Sequence, residues 1–258
     1  MNILAIGDVV GEIGVCALEK KLKGIQKEYG VDFTVVNGEN SAGVGITPSL
    51  AHRLYNAGAD VITLGNHVWG KKEIVNFLDD DGYILRPANL ADIAPGRGSG
   101  IFNVKSKMVC VINLQGRCDM NFGPDNPFTC VSRIIKENSR HSDFTIVDFH
   151  AQATSEKIAM AYHLDGKVSA LWGTHTHVQT ADERILPGGL GYLTDVGMTG
   201  PINSVLGIKP DHSINLFMGG LPRRFEEAEG NCKINACLFT FDTEKKRCVK
   251  VVRADLFE

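Results

Sequence analysis

Residues 168–182 read VSALWGTHTHVQTAD, in which an apolar run that ends at Trp172 is followed, after Gly173 and Thr174, by two histidines, His175 and His177. In an extended chain the side chains at positions i and i+2 point the same way, so this spacing predicts that both imidazoles face one point at the end of a strand. Neutral imidazole nitrogens are good ligands for first-row transition metals. The stretch therefore predicts a strand that ends at a metal site.

Four other apolar runs end beside groups that can bind a metal. These runs and the groups next to them are 2–6 with Asp8, 33–36 with Glu39 and Asn40, 61–64 with Asn66 and His67, and 144–149 with His150. Because ligands of open α/β sheets bind beyond the carboxyl ends of the strands, five such ends can converge on one crevice. Without a shared site, position and chemistry would have to coincide five times. We therefore predict one metal site with oxygen and nitrogen ligands only.

The first part of the chain alternates strand and helix. Residues 14–29 carry apolar side chains at helical spacing. Thr47-Pro48 is typical of a helix cap followed by proline at the first helical position, which predicts a helix over 49–57 that stops at Gly58. A shorter helix is predicted over 71–78. Such alternation predicts a mostly parallel sheet with helices outside it.

From about Gly98 onward, paired strands become frequent. The predicted strand pairs are 101–104 with 108–114 and 233–242 with 248–255. A helix is predicted over 130–138, and residues 159–163 are predicted to be the end of another. Strand counting then indicates a second sheet. The fold class predicted from the sequence is α/β, with two stacked mixed β-sheets flanked by helices in a single domain over residues 1–258.

Composition limits the classes of function. The chain has 258 residues, 43% hydrophobic and 22% charged, which is ordinary for a soluble globular protein. A net charge of −3 argues against an extended nucleic-acid-binding surface, although a local basic pocket stays open. No apolar run approaches the roughly 20 residues that span a bilayer. The N-terminus lacks a basic leader, so we expect a cytoplasmic protein without membrane partners.

The cysteines do not indicate a metal or redox motif. There are seven, widely scattered and without a Cys-x-x-Cys pair, which argues against a zinc ribbon or a thioredoxin-like dithiol. We expect most of them to be small buried residues in a reducing compartment. Cys118, in a polar stretch, is the thiol we expect to reach solvent.

The order of these motifs resembles the calcineurin-like metallophosphoesterase superfamily. It is most similar to the YmdB-like bacterial phosphodiesterases, which hydrolyse 2′,3′-cyclic nucleotides. The stretches that carry this similarity are 7–11, 37–45, 174–182, 195–201 and 220–225, and the similarity covers essentially the whole chain. The resemblance implies a four-layer αββα metallophosphoesterase sandwich.

Two departures from the wider superfamily bear on the metals. The usual Asp-x-His of the first strand is Asp8-Val9-Val10, and the usual bridging aspartate is replaced by Glu39 beside Asn40. Both departures are shared by the YmdB-like branch. Loss of an imidazole makes the first site harder and richer in oxygen. The resemblance therefore implies two divalent transition-metal ions per chain, iron as first choice and manganese as second.

The resemblance also implies a role for each residue. Two ions about 3.5–4 Å apart can bridge and activate one water, and a carboxylate such as Glu39 is the natural bridging ligand. By the family's pattern, the other ligands of the first ion are Asp8, Asn40 and His177, and those of the second ion are Asn66, His150 and His175. His67 is similar to the family's proton donor to the leaving oxygen. The alternative is that His67 only hydrogen-bonds a metal ligand.

For several other residues the sequence leaves two interpretations open. The Gly43-x-Gly45 turn could offer amides to a phosphate or could simply be tight, and Arg223 and Arg224 could contact phosphate or lie on the surface. Asp182 could orient a histidine or cap a turn. His212 is expected in a loop.

Three functions compete at this point. The first is a dinuclear phosphodiesterase that converts small phosphodiesters, 2′,3′-cyclic nucleotides above all, to 3′-nucleotides by attack of a metal-bridging hydroxide. The second is a metal-dependent phosphatase or nuclease that acts on another phosphoester. The third is a regulatory RNA-partner protein with a structural metal. The sequence leaves a homo-oligomer open.

Overall fold

The computed structural model describes residues 1–120, 123–221, 224 and 226–257, with only the backbone of residues 256 and 257. In chain order the elements are β1 (Asn2–Ile6), β2 (Asp8–Val9), α1 (Gly11–Tyr29), β3 (Phe33–Asn37), α2 (Pro48–Ala57), β4 (Val61–Thr63), α3 (Ile74–Asp80), β5 (Ile84–Leu85), β6 (Ser99–Val104), β7 (Lys107–Gln115), α4 (Pro127–Asn138), β8 (Phe144–His150), α5 (Thr154–Leu164), β9 (Ala170–Thr174), β10 (Arg184–Ile185), β11 (Gly191–Leu193), β12 (Met198–Pro201), α6 (Pro210–Phe217), β13 (Cys232–Asp242) and β14 (Arg247–Phe257).

The strands form two mixed sheets. The first has the order β2-β12-β13-β1-β3-β4-β5, with β14 paired to β13. Within it β1, β3, β4 and β5 are parallel, whereas β13 runs antiparallel to β1. The second sheet has the order β10-β11-β9-β8-β7-β6, parallel from β11 to β7 with an antiparallel strand at each edge. The predicted pair of mixed sheets is confirmed.

Alternate residues of the strands face different layers. In β1, Leu4 and Ile6 pack with the apolar faces of α1 and α2, whereas Ile3 lies in the apolar layer between the sheets. In β7, Val111 faces that same central layer, and Ile112 packs outward with α4 and α5. This two-residue period gives the layer order helix, sheet, sheet, helix.

The cap of α2 follows the sequence closely. The Thr47 hydroxyl accepts a hydrogen bond from the Leu50 amide at 3.3 Å, Pro48 occupies the first turn, and Gly58 ends the helix at φ 125°. Only glycine adopts such a backbone freely. The strand–helix–strand unit formed by β3, α2 and β4 thus has well-defined ends, and it sets the direction in which the loop after β3 leaves the sheet.

Several short elements differ from the sequence prediction. Strands β2, β5, β10, β11 and β12 have two to four residues, too few to show a periodic pattern. His212 was expected in a loop, but it lies within α6, so that prediction is wrong. The reason is that α6 has only eight residues, about two turns, which is too short for a helical period of apolar residues to be identified. No helix in the described part of the chain has both the length and the apolar content to cross a membrane.

Candidate metal centre

The two sheets meet at the carboxyl ends of their parallel strands, and all eight predicted site residues lie there. Asp8 follows β1, Glu39 and Asn40 follow β3, Asn66 and His67 follow β4, His150 ends β8, and His175 and His177 follow β9. Each side chain is thereby carried by a strand end or by the turn beyond it. The structure brings the eight residues together, while the roles implied by the resemblance remain predictions.

His150 is the hub of one group of side chains. Its Nε2 lies 3.0 Å from Glu39 Oε1, 3.0 Å from Asn66 Oδ1 and 3.0 Å from His175 Nδ1. One ring nitrogen offers either one proton or one lone pair, so it cannot form good hydrogen bonds with all three. Glu39, His150 and His175 also place one ligand atom each within 4.8 Å of one another. Convergence of this kind is typical of ligands around a cation.

A second group lies beside the first and consists of Asp8, Asn40 and His177. His177 Nε2 is 3.1 Å from the Asn40 amide nitrogen and 4.0 Å from Asp8 Oδ1. Glu39 joins the two groups, because its Oε1 reaches His150 at 3.0 Å and accepts a hydrogen bond from the Asn40 amide at 3.2 Å. This position, between two groups of candidate ligands, is the one expected for a carboxylate that bridges two ions.

The charge balance of the site fits a bound cation. The side chains of Asp8 and Glu39 are both completely buried, and Asp8 Oδ1 has no hydrogen-bond partner among the described residues. A buried polar atom without a partner is costly, which makes this oxygen a natural ligand. Burial, opposed by His150 and His177 and assisted by Glu39, raises the pKa of the Asp8 carboxyl. The donor set of carboxylate, amide and imidazole fits a divalent transition-metal ion.

The histidines of this site differ in charge. Burial together with the neighbouring His150 lowers the pKa of His175 to about 3, which keeps it in the neutral form that binds metals. Burial also acts to lower the pKa of His150, but the carboxylates of Glu39 and Asp8 raise it to about 9. Burial acts to raise the pKa of the Glu39 carboxyl, yet His150 and His67 hold this pKa well below the usual range. The imidazolium of His150 thus supplies part of the positive charge that a metal would supply.

The turn that carries His175 and His177 corrects the sequence argument. Both residues lie beyond the end of β9 with positive φ, 100° for His175 and 61° for His177, so they are not in extended chain. Left-handed backbone at residues other than glycine is strained and occurs where neighbours hold it. Here Asp8 Oδ2 accepts from the His175 amide at 3.0 Å, and the Leu206 carbonyl accepts from His177 Nδ1 at 3.0 Å. The two imidazoles meet at the site because of this turn.

A buried hydrogen-bond chain orients His150. Its Nδ1 donates to the Thr174 hydroxyl at 3.0 Å, and that hydroxyl donates to Asp148 Oδ1 at 2.7 Å. Thr63 and Asn37 donate to the other Asp148 oxygen. This chain fixes the orientation that leaves Nε2 facing Glu39. The role of these four residues is not predicted from the sequence. The available signal was a polar residue inside an apolar strand, as for Asp148, or at the last position of one, as for Asn37, Thr63 and Thr174.

Gly65 allows the ligands to approach one another. A β-carbon at this position would overlap Glu39 Oε2 and the ring of His150. Close approach of side chains to backbone is a recognised use of glycine. The Gly65-Asn66-His67 turn therefore needs glycine because of space, since this residue does not have a positive φ.

The His67 side chain opens the site to solvent. It is 38% exposed, and its Nδ1 lies 3.0 Å from Asn40 Oδ1 and 3.4 Å from Glu39 Oε1. With the Asn40 oxygen facing His67, Nδ1 carries the proton. If Asn40 turns its oxygen toward His177, its amide nitrogen donates to His67, and the proton of the neutral ring moves to Nε2.

The remaining predicted residues have other surroundings. The Asp182 carboxylate accepts hydrogen bonds from the Thr180 hydroxyl at 2.6 Å and the Thr194 amide at 3.1 Å, which makes it a turn residue. Gly43 and Gly45 have φ of 75° and 81°, and the Gly43 amide donates to the Asn40 carbonyl, as expected for a tight turn.

The two arginines and Cys118 can also be placed in part. Arg224 is exposed, while Arg223, like Pro222 and Phe225 of the 220–225 stretch, lies outside the described residues. Cys118 is exposed, as predicted.

Comparison with known proteins gives one consistent result over the whole chain. Residues 4–254 match the family described as YmdB-like protein. The chain is 45% identical to a 2′,3′-cyclic-nucleotide 2′-phosphodiesterase of Bacillus subtilis (strain 168), over 98% of this chain and 96% of that protein. A solved structure described as a novel phosphatase from Mycoplasma pneumoniae has a TM-score of 0.94 at 34% identity, covering 100% of this chain and 93% of that one. A hypothetical protein from Thermus thermophilus has a TM-score of 0.93 at 36% identity, covering 100% of both chains.

Proposed function

Since the chain belongs to the YmdB-like family, we propose that it is a metal-dependent phosphodiesterase that hydrolyses 2′,3′-cyclic nucleotides to 3′-nucleotides. The observation that carries this proposal is the position of Glu39, whose fully buried carboxylate lies between the group of His150, Asn66 and His175 and the group of Asp8, Asn40 and His177. Similarity to a relative with this activity over almost the full length of both proteins supports the same reaction.

Two divalent ions fit this ligand set. When bound, they would activate the attacking water and withdraw charge from the phosphate. Glu39 would be shared between them, with Asp8, Asn40 and His177 on one side and Asn66, His150 and His175 on the other. Iron is our first choice and manganese our second, because the set combines carboxylate and amide oxygens with imidazole nitrogens.

His67 serves the leaving group in this proposal. Cleavage of the bond from phosphorus to O2′ produces an alkoxide, which leaves poorly unless it receives a proton. The His67 side chain is 38% exposed, and its Nδ1 lies 3.0 Å from the Asn40 amide group. When Asn40 turns its oxygen toward a metal, its amide nitrogen donates to Nδ1, and the neutral ring then carries on Nε2 the proton that it can deliver. The backbone amide of His67 donates to Glu39 Oε2 at 3.1 Å, which ties the donor to the bridging carboxylate.

A phosphatase is the competing function that a specific observation favours. One structural relative is described as a phosphatase, and the same ligand set could act on a monoester. A regulatory protein with a purely structural metal is less well supported, since structural sites are closed and His67 opens this one to solvent.

The deciding experiment is a substrate panel with protein purified without oxygen and analysed for metal. We expect hydrolysis of 2′,3′-cyclic AMP and of bis-p-nitrophenyl phosphate, with little activity on p-nitrophenyl phosphate. Preference for the monoester would establish a phosphatase, and no hydrolysis by fully metallated protein would reject both enzymes. We also propose a cytoplasmic location, because all the cysteines are free thiols, as expected in a reducing compartment.

A further inference from the structure

Lys157 is a buried lysine that belongs to neither ligand group. It lies near the start of α5, its side chain is fully shielded from solvent, and its ammonium donates to the Thr174 carbonyl at 2.9 Å and to Asp195 Oδ2 at 2.6 Å. Lysine is almost never fully buried unless it is paired. The position of this pair, directly below the turn of His175 and His177, calls for an explanation beyond stability.

Asp195 extends the contact to the other side of His175. Its Oδ2 accepts hydrogen bonds from the Thr176 amide at 3.2 Å and from the Thr176 hydroxyl at 2.8 Å, while Oδ1 accepts from the Gly197 amide at 2.8 Å. Lys157 thus holds the residue before His175 directly and the residue after it through Asp195.

The turn held in this way is the strained one. His175 has φ of 100° and His177 has φ of 61°, a backbone region in which residues other than glycine persist only when their surroundings constrain them. The Lys157 stem is itself constrained, because a β-carbon on Gly173 would lie 2.7 Å from Lys157 Cδ and 2.9 Å from Lys157 Cε. The ammonium therefore has little freedom to leave its two oxygen partners.

We propose that Lys157 is a positioning residue for the metal-binding histidines, which acts by fixing the 174–176 backbone through Thr174 and Asp195. The inference rests on the proposed metal function of His175 and His177. Lys157 acts on the backbone on both sides of His175, so its effect reaches the metals through the conformation of the turn. The turn is then already in the binding conformation, so metal binding does not have to offset the free-energy cost of forming it.

A plain structural role is the interpretation to be excluded. Breaking a buried ion pair leaves an uncompensated charge and destabilises the whole protein. The test therefore compares Lys157→Met with Leu164→Ala, a variant of a fully buried residue at the far end of the same helix, which should lower the melting temperature without touching the turn. The double variant Lys157→Met/Asp195→Asn removes both charges and covers the case in which the single variant does not fold.

The first measurement uses metal-free protein. Amide hydrogen exchange of the peptide that covers residues 174–177 should be faster in both Lys157 variants than in the wild type, and unchanged in Leu164→Ala. The second measurement is Mn²⁺ affinity, followed by electron paramagnetic resonance. We expect the Lys157 variants to bind Mn²⁺ about 10–100-fold more weakly, the range for loss of a group that supports a ligand.

Two results would overturn the inference. One is wild-type Mn²⁺ affinity in the Lys157 variants. The other is a loss of Mn²⁺ affinity no greater than that of Leu164→Ala, when each variant is assayed at the same interval below its own melting temperature. If the wild type binds Mn²⁺ and cleaves the diester, either result rejects the role of Lys157 alone. If the wild type binds neither Mn²⁺ nor Fe²⁺, the proposed function fails and the positioning role fails with it.

Discussion

Oε1 of Glu39 lies 3.0 Å from Nε2 of His150, and both side chains are completely buried. An acidic and a basic group in this arrangement form an ion pair in the metal-free protein, and on the proposed assignment both would be ligands of one ion in the metallated protein. The proton of the imidazolium and the metal ion compete for the same space, because a histidine must be deprotonated to bind a metal.

Glu39→Gln should abolish tight metal binding. The amide keeps the size of the side chain but removes the negative charge that offsets two cations, so we expect loss of at least one ion per chain and of nearly all turnover. Inductively coupled plasma mass spectrometry on the purified variant measures the ions. Two tightly held ions together with normal activity would show that Glu39 is not the bridge.

Gly65→Ala should block the site without a comparable effect on the rest of the fold. The added β-carbon would overlap Glu39 Oε2 and the His150 ring, so metal content should fall. Gly24→Ala is the matched control, because a β-carbon there meets nothing within 4 Å. That control should keep its metals and gain up to about 1 kcal/mol of stability, since alanine is the better helix former. Full metal loading of Gly65→Ala would contradict the expected crowding.

His67→Ala should lower kcat by about 10²–10⁴ while both metals stay bound, the range for loss of a general acid. The loss should be far larger on 2′,3′-cyclic AMP than on bis-p-nitrophenyl phosphate, because p-nitrophenolate leaves without a proton and a ribose alkoxide does not. Steady-state kinetics with confirmed metal occupancy provide the comparison.

Other outcomes for His67 have distinct patterns. A ligand role would lower metal content and affect both substrates alike. Support of a neighbouring ligand would weaken metal affinity about 10–100-fold without dependence on the leaving group. Equal rate losses on the two substrates at full occupancy would remove His67 as the acid.

Asp182→Asn should lose stability at neutral pH but not in acid. Burial acts to raise the pKa of Asp182, yet hydrogen bonds from Thr180 and Thr194 bring it below the usual value of 3.8. The stabilising contribution is therefore fully present above that value and is lost as the pH falls through the folded-state pKa. Urea unfolding should show a deficit of about 1–3 kcal/mol at pH 7 that shrinks below pH 4. Glu28→Gln, at an exposed position of α1, should show no such change, and a constant deficit would refute the assignment.

Metal removal should destabilise the wild type more than Glu39→Gln, which holds fewer ions. A ligand at 100 times its Kd adds about 2.7 kcal/mol to the stability of the folded state. Adding a chelator should therefore lower the melting temperature of the metallated wild type, as calorimetry would record. An equal decrease in Glu39→Gln would mean that the metal binds elsewhere.

The grouping of the eight candidate site residues could be predicted from the sequence because each follows an apolar run that is long enough to identify as a strand. The groups that support them could not be found in the same way. Asp148 and Thr174 lie inside strands, and Lys157 finds Asp195 only in the folded chain, 38 positions away. Their partners are set by tertiary packing, which a local pattern does not contain.

The turn after β9 is the clearest failure of local reasoning. The two-residue spacing of His175 and His177 predicted extended chain, whereas both residues have positive φ. This strained backbone is stable only because Asp8, Leu206 and the Lys157–Asp195 pair hold it. These residues are distant from the turn in the sequence. The layered fold was easier to predict from the sequence, because alternation of strand and helix reflects a local periodicity.

The pairing of β1 with β13 places strands from opposite ends of the sequence side by side, with Asn2 opposite Thr240. During synthesis β1 can pair with β3 early, but its other edge has no partner until Cys232–Asp242, which forms β13, has been made. β2, which carries Asp8, likewise waits for β12. An open strand edge is a template for aggregation. The nascent protein therefore passes through a long interval in which the first half of a sheet is formed and its edge must be shielded, so chaperone supply and translation speed should influence how much active protein a cell obtains.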